Sequence, residues 1–373
     1  MKSGEMEMAW LAAIAETAAR YALERGVQMK AAVLHGRGDI RVESWERPAL
    51  KPGMVLLRSR CVGVCGSDQH YFEHGSCAGF VPDRPFVLGH EVAAEVAEIA
   101  DDVGRVRMGE RVAVNPARNC GRCDYCKSGR INLCDRNIML GSASTTPPTD
   151  GGLAEFVMVR EDQCHPLPDN VDDSVGAMIE PFAVALHAVK RAGSVAGRRV
   201  LVTGAGAIGL MAAITARAFG AAPVAVSDLV PERRAKAEEL GIDVVLDPSA
   251  AGFAERAMEL SGGGFDFVFE ASGAAPALRS GIELARPGGT IVQIGTMGAA
   301  DIPLPVNRLM TKELTLMGSM RYGNVFGEAI RLVAAGRVDL RPLINGVFPL
   351  DETMKAFEFM ADKARSFKVQ IRI

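Results

Sequence analysis

The stretch Val200-Leu201-Val202-Thr203-Gly204-Ala205-Gly206-Ala207-Ile208-Gly209 decides the fold. An apolar run enters G-x-G-x-x-G and a helical pattern leaves it, which is the strand, turn and helix setting that makes this otherwise weak motif informative. Gly204 permits the tight turn, Gly206 lets backbone approach a pyrophosphate, and Gly209 allows close packing of helix on strand, with the anion at the helix N-terminus. Further strand candidates follow at residues 224–227, 244–246, 265–270 and 290–294, alternating with helical patterns. Such alternation needs crossover helices and therefore a parallel sheet covered on both faces. Asp228, 19 residues past Gly209, follows the second strand. A carboxylate there accepts from a ribose 2′-hydroxyl and repels a 2′-phosphate, so NAD is expected over NADP, with Arg233 nearby able to soften the choice.

The half before this unit has a different texture. Short β-like runs at 55–59, 92–99, 111–114 and 153–159 are separated by turn residues such as Lys51-Pro52-Gly53, which predicts a mostly antiparallel β domain. The chain returns to that domain after about Met320 and ends in a β-like run at 367–373. The domain limits read from these shifts are 29–182 for the catalytic domain, with a cysteine lobe at 116–136, 183–320 for the cofactor domain, and 321–373 for the return. Residues 1–28 read as an Ala-rich helix ending at Gly26, ahead of what looks like a natural start at Met29. They are an upstream extension or a helix that docks on a neighbouring subunit.

A length of 373 residues exceeds what one hydrophobic core usually fills, in keeping with two domains. A formal charge of −3 without a long like-charge run disfavours nucleic acid and membrane surfaces as partners. No apolar stretch reaches bilayer length and the first residues carry Glu5 and Glu7 rather than a basic leader, so a cytoplasmic protein is expected. Eight cysteines are too few for a disulfide scaffold of this size. Four of them, Cys120, Cys123, Cys126 and Cys134, form C-x2-C-x2-C-x7-C, the spacing of a closed tetrahedral thiolate shell and so of a structural zinc. An iron–sulfur cluster uses the same ligands and is the rival reading. A second set is dispersed: Cys65 in Val64-Cys65-Gly66-Ser67-Asp68, His90-Glu91 after Gly89, and Glu180 before Pro181. One thiolate, one imidazole and one carboxylate with an open fourth place would make a catalytic zinc, although spacing this wide establishes nothing by itself.

Taken in order, the run Val64–Tyr71, Gly89-His90-Glu91, the four-cysteine lobe, Glu180-Pro181 and the glycine loop resemble the zinc-containing medium-chain alcohol dehydrogenases. The resemblance extends from Met29 to Ile373 and implies an α/β molecule made of a GroES-like, mostly β catalytic domain and a Rossmann domain with a doubly wound parallel sheet. It implies two zinc ions per chain, with Cys65 and His90 on the catalytic one. In the sorbitol-dehydrogenase-like branch Glu91 is the third ligand and Glu180 stands close by; which of the two carboxylates touches the metal at each step stays open. Glu180 replaces the cysteine of simple alcohol dehydrogenases, a departure that points from ethanol-type substrates to polyols. The same resemblance assigns Ser67 and His70 to a proton relay, adds Ile208, Ile294, Gly295 and Met320 to the cofactor contacts, and makes Tyr71, Arg321 and Tyr322 substrate contacts. A homodimer or homotetramer is the expected assembly.

The expected chemistry is oxidation of a secondary alcohol, the zinc acidifying the hydroxyl and the nicotinamide accepting hydride. Arg321 could clamp a substrate carboxylate bidentately. The stretch Met139-Leu140-Gly141-Ser142-Ala143-Ser144, with Asp150-Gly151-Gly152-Leu153 and Asp162-Gln163-Cys164, is similar to L-idonate 5-dehydrogenases, which suggests L-idonate becoming 5-dehydro-D-gluconate. A sorbitol or xylitol dehydrogenase is the alternative, L-threonine 3-dehydrogenase a third, and a catalytically silent relative the reading from another class. The retained metal set argues against silence and against zinc-free quinone reductases.

Overall fold

The computed structural model describes residues 27–298 and 301–373. Of the predicted N-terminal helix, residues 1–26 lie outside the described residues, and Gln28, its last residue, instead opens a strand. That strand, β1 (Gln28–Gly36), pairs antiparallel with β2 (Asp39–Glu46) and with β4 (Phe86–Val87) in a small sheet. The main sheet of the first domain has the order β10 (Cys164–Pro166), β6 (Arg111–Val114), β5 (Glu91–Ile99), β3 (Met54–Val64), β18 (Lys368–Arg372) and β17 (Ile344–Pro349), with β9 (Phe156–Arg160) also paired to β3. Its pairings are antiparallel except β17 with β18. The C-terminal strand is thus wedged beside β3, Val369 opposite Val64. A short ribbon of β7 (Ala117–Arg118) and β8 (Ile138–Met139) carries the four-cysteine lobe.

The second domain is a parallel sheet in the order β13 (Val244–Leu246), β12 (Val224–Ser227), β11 (Val200–Thr203), β14 (Phe265–Glu270), β15 (Ala285–Gln293) and β16 (Thr315–Gly318). Strands β11, β12, β13 and β14 coincide with the runs read from sequence. The strand expected at 290–294 begins earlier, at Ala285, and the one expected at 153–159 begins only at Phe156. Residues 151–153 are drawn instead into a backbone clasp around Gly89, where Gly151 N donates to Val87 O (2.8 Å), Gly152 N to Gly89 O (2.8 Å) and Leu153 N to Leu88 O (3.0 Å). Chain order reverses at β11, flanked by β12 on one side and β14 on the other, and this switch point opens a crevice at the carboxyl ends of the strands.

Helix Ile179–Ala192 joins the two domains. Met178, Ile179, Phe182, Ala185, Leu186 and Val189 are buried, and one apolar core unites them with Cys61, Ala93 and Ala113 of the first domain and Val200, Val202 and Leu210 of the second. Packing on two sides leaves the helix almost no solvent face, and its first turn, which bears Glu180, points into the cleft.

Candidate active site

Two ligand-bearing segments meet because β3 and β5 are neighbours in register, Gly63 opposite Glu91. Cys65 directly follows β3 and caps helix Gly66–His74, and His90 immediately precedes β5. A sulfur of Cys65, a ring nitrogen of His90 and a carboxylate oxygen of Glu91 lie within 4.8 Å of one another. This is a soft, a borderline and a hard donor close enough to share one ion, a set that suits zinc. Room for it depends on Gly63: a Cβ built there would overlap the Glu91 carboxylate.

Asp68, fully buried, fixes the arrangement. One of its oxygens accepts from Cys65 N (2.9 Å), the other accepts from Gly89 N (3.4 Å) and stands 3.7 Å from His90 Nδ1. Burial by itself would favour neutral imidazole, but Asp68 and Cys65 outweigh it and hold the His90 pKa well above the ordinary value. Burial, reinforced by Glu91 and opposed by His90, pushes Glu180 up to about 7. The Tyr322 hydroxyl is buried beside Glu180, and burial followed by the Glu180 charge pushes its pKa well above ordinary.

These groups open into a cavity of about 710 Å³ between the domains. Cys65, Ser67, His90, Glu91 and Glu180 form one wall; Ile208, Ile294, Gly295 and Met320 form the other; Arg321 and Tyr71 are also at its surface. Not every residue singled out from sequence joins them. The Tyr71 hydroxyl accepts from Ala143 N (3.0 Å) and its ring packs edge-on against Phe86, which leaves its O–H proton to donate. Tyr322 is buried behind Glu180, outside the cavity lining. His70, one turn on from Ser67, is exposed and lies outside the cavity lining, 5.4 Å ring to ring from His74, while Ser67 faces the cavity. Arg321 adopts φ +47°, a strained conformation for a side-chain-bearing residue, and donates to Asn137 Oδ1 (2.8 Å).

In the second domain the glycine loop has the shape its sequence demands. Gly204 has φ +97°, a Cβ on Gly209 would collide with Gly204 O, and Gly206 faces open space with only Arg233 Nη1 3.7 Å from where a Cβ would be. Gly206 caps the 12-residue helix Ala207–Ala218 with no side chain over its free N–H groups, a cradle suited to a pyrophosphate. Asp228 ends buried after β12, accepting from Ala205 N (2.7 Å) and Val230 N (2.9 Å), with Arg233 3.9 Å away. Glu270 was not foreseen. Its buried carboxylate accepts from Ser272 N (2.8 Å), Gly273 N and Gln293 Nε2, and so ties the ends of β14 and β15 into the floor of the crevice.

In the lobe, Cys120, Cys123, Cys126 and Cys134 place their sulfurs within 4.8 Å of one another. Backbone N–H groups of Arg122 and Cys123 lower the Cys120 thiol to about 6, while burial and the neighbouring cysteines push Cys126 up to about 12.

Known families share this architecture. Residues 51–169 match the alcohol dehydrogenase GroES-like domain and residues 207–335 match the zinc-binding dehydrogenase domain. The sorbitol dehydrogenase of Bos taurus is 38% identical over 343 residues, 91% of this chain and 95% of that one. The chain belongs to the zinc-containing medium-chain alcohol dehydrogenases, in the sorbitol-dehydrogenase-like branch. Another member of this family, the probable D-xylulose reductase A of Neosartorya fischeri, is 40% identical over 333 residues, covering 87% of this chain and 92% of its own. The crystal structure of L-idonate 5-dehydrogenase from Escherichia coli superposes with a TM-score of 0.86 at 33% identity, covering 93% of this chain and 99% of that one. Membership makes this medium-chain dehydrogenase a GroES-like domain joined to a Rossmann domain, and an enzyme of alcohol and polyol oxidoreduction.

Proposed function

We propose that the enzyme oxidises a secondary hydroxyl of a sugar acid or polyol with NAD, and that its substrate is L-idonate, converted to 5-dehydro-D-gluconate. The observation that carries the reading is the convergence of Cys65, His90, Glu91 and Glu180 on a cavity whose opposite wall is the carboxyl edge of the Rossmann sheet. In this reading Cys65, His90 and Glu91 hold the catalytic zinc, and Cys120, Cys123, Cys126 and Cys134 the structural one. When bound, zinc supplies a Lewis acid that acidifies the substrate hydroxyl, and NAD supplies the hydride acceptor. Asp68 orients the His90 ring by facing its Nδ1. Burial pushes the Glu180 carboxylate up to about 7, and a divalent ion held beside it would favour the ionised form, ready to accept a proton. Ser67 meets the hydroxyl from the cavity wall and His70 lies on the solvent side of the same helix, the two ends of a proton path.

Arg321 supports a sugar acid. It lines the cavity and spends only Nη1 on Asn137, which leaves guanidinium N–H groups for a carboxylate. The likeness to sorbitol dehydrogenase and D-xylulose reductase supports the second reading, a neutral polyol such as sorbitol or xylitol. Asp228 supports NAD, because its carboxylate stands where a 2′-phosphate would be repelled. Formation of NADH measured in parallel with L-idonate, D-sorbitol, xylitol and L-threonine decides among these. The highest kcat/KM is expected for L-idonate; a preference for sorbitol or xylitol would replace the sugar acid by a polyol, and no reaction with any of the four would overturn the substrate class.

A further inference from the structure

Behind the metal set lies a cation that the chemistry just described does not use. Lys368, first residue of β18, is 5% exposed and its ammonium is paired with Glu91, itself 1% exposed. Among the described residues, it is the one ion pair of a lysine or arginine in which both side chains are more than nine-tenths buried. The same Nζ donates to Val64 O (3.2 Å). Val64 directly precedes Cys65, and Glu91 directly follows His90, so one ammonium grips both ligand-bearing segments.

The charges explain why a lysine would be kept in so costly a place. Cys65, Glu91 and Glu180 gather three acidic groups at one place, and Lys368 sets a buried positive charge against them, in contact with Glu91. Asp68 adds a third carboxylate, but backbone N–H groups of Cys65 and Gly89 and the His90 ring surround it. Without an ion, Lys368 gives the buried Glu91 carboxylate a partner, so that the metal-free site avoids an uncompensated buried charge. With an ion, the same carboxylate is divided between ammonium and metal.

We propose that Lys368 is a positioning residue of the metal centre, sharing the Glu91 carboxylate with the ion and thereby setting how readily the ion leaves. This rests on the assignment of Cys65, His90 and Glu91 to zinc. The consequence has a sign that a purely structural role would not produce: removing the lysine charge strands Glu91 in the metal-free state, so the zinc should be held longer. A residue that merely braced β3 and β5 would, when lost, loosen the site and let the ion go sooner.

The test follows zinc release from the full-length, zinc-loaded protein into a chromophoric chelator. Cys65→Ser and Cys126→Ser identify the kinetic phases of the two sites. In Lys368→Met the Cys65 phase should slow at least tenfold while the four-cysteine phase is unchanged, and Lys368→Arg, which retains the charge, should release at the rate of the unaltered protein. Release from the Cys65 site of Lys368→Met at an equal or faster rate overturns the proposal. Should Lys368→Met fail to fold, Lys368→Gln, which keeps a donor for Val64 O, carries the same expectation and the same refutation. Zinc content that does not fall in Cys65→Ser would remove the site assignment itself, and the role of Lys368 with it.

Discussion

At Gly63 a missing side chain decides whether the catalytic set can form. The Glu91 carboxylate occupies the volume that a Cβ at this position would fill, and Val62 and Val64 on either side are core residues that hold the strand in place. Gly63→Ala should therefore displace Glu91 rather than the sheet. Metal analysis is expected to fall from two zinc ions to one per chain, with dehydrogenase activity lost and overpacking costing about 1–3 kcal/mol of stability. A variant that kept both ions and full turnover would show that Glu91 is not needed where it stands. Nothing in the sequence marked this glycine, because its neighbour across the sheet is known only once register is fixed. Asp68 was within reach, lying three residues past Cys65, yet a carboxylate at a helix start reads first as a cap, and here it also faces His90. Lys368 was out of reach altogether, being 304 residues from the carbonyl it bonds. The four cysteines of the lobe declare themselves by spacing, whereas Cys65, His90, Glu91 and Glu180 become a set only through a resemblance or a folded chain.

Elements reveal themselves in sequence when their surroundings are uniform. Strands β11, β12 and β14 are buried along almost their whole length, and their runs of Val, Leu, Ala and Phe announce both identity and limits. Residues 151–153 carry a strand-like flank but spend their hydrogen bonds on the loop at Gly89, a tertiary contact that local pattern cannot foresee. Strand β10 offers a pH test of such packing. His165, in its centre, stacks on Phe326 at 4.9 Å between ring centroids, with Nε2 buried and unpartnered. Burial, followed by the Arg105 charge, lowers its pKa to about 4. The unfolded chain, with a histidine near its ordinary value of about 6.5, binds a proton that the folded chain refuses. Stability from this group is therefore complete above that value and is lost as pH falls through 4, to a limit of roughly 3 kcal/mol. Urea unfolding at pH 7 and pH 5 should show a smaller loss in His165→Phe than in the unaltered protein; equal losses would mean that the ring titrates freely.

On the scale of the whole molecule, the active site belongs to neither domain, and its two walls must be held in register from outside the chemistry. Helix Ile179–Ala192 does this through the shared apolar core. The four-cysteine lobe does it a second time, through polar contacts that no motif announces. Asn132 Nδ2 donates to Met320 O (2.9 Å) and Asn137 Oδ1 accepts from Arg321 Nη1 (2.8 Å). Both asparagines flank Cys134, and both partners lie in the segment that leaves β16 and lines the cavity. If the lobe holds the proposed zinc, closing its thiolate shell would fix the contacts that brace Arg321 in its strained φ. Cys126→Ser should lose the zinc of the lobe and leave the Cys65 set intact, since the two clusters share no residue. The loss should appear in substrate handling: KM for the sugar acid or polyol is expected to rise about tenfold or more, as one positioned contact worth at least 1.4 kcal/mol is released, while kcat and the affinity for NAD change less. Steady-state kinetics with each substrate varied in turn read this directly. A fall in kcat at unchanged KM would place the lobe's influence on the catalytic set instead, and unchanged kinetics in a protein shown to have lost one zinc would mean that Asn132 and Asn137 hold their partners without it.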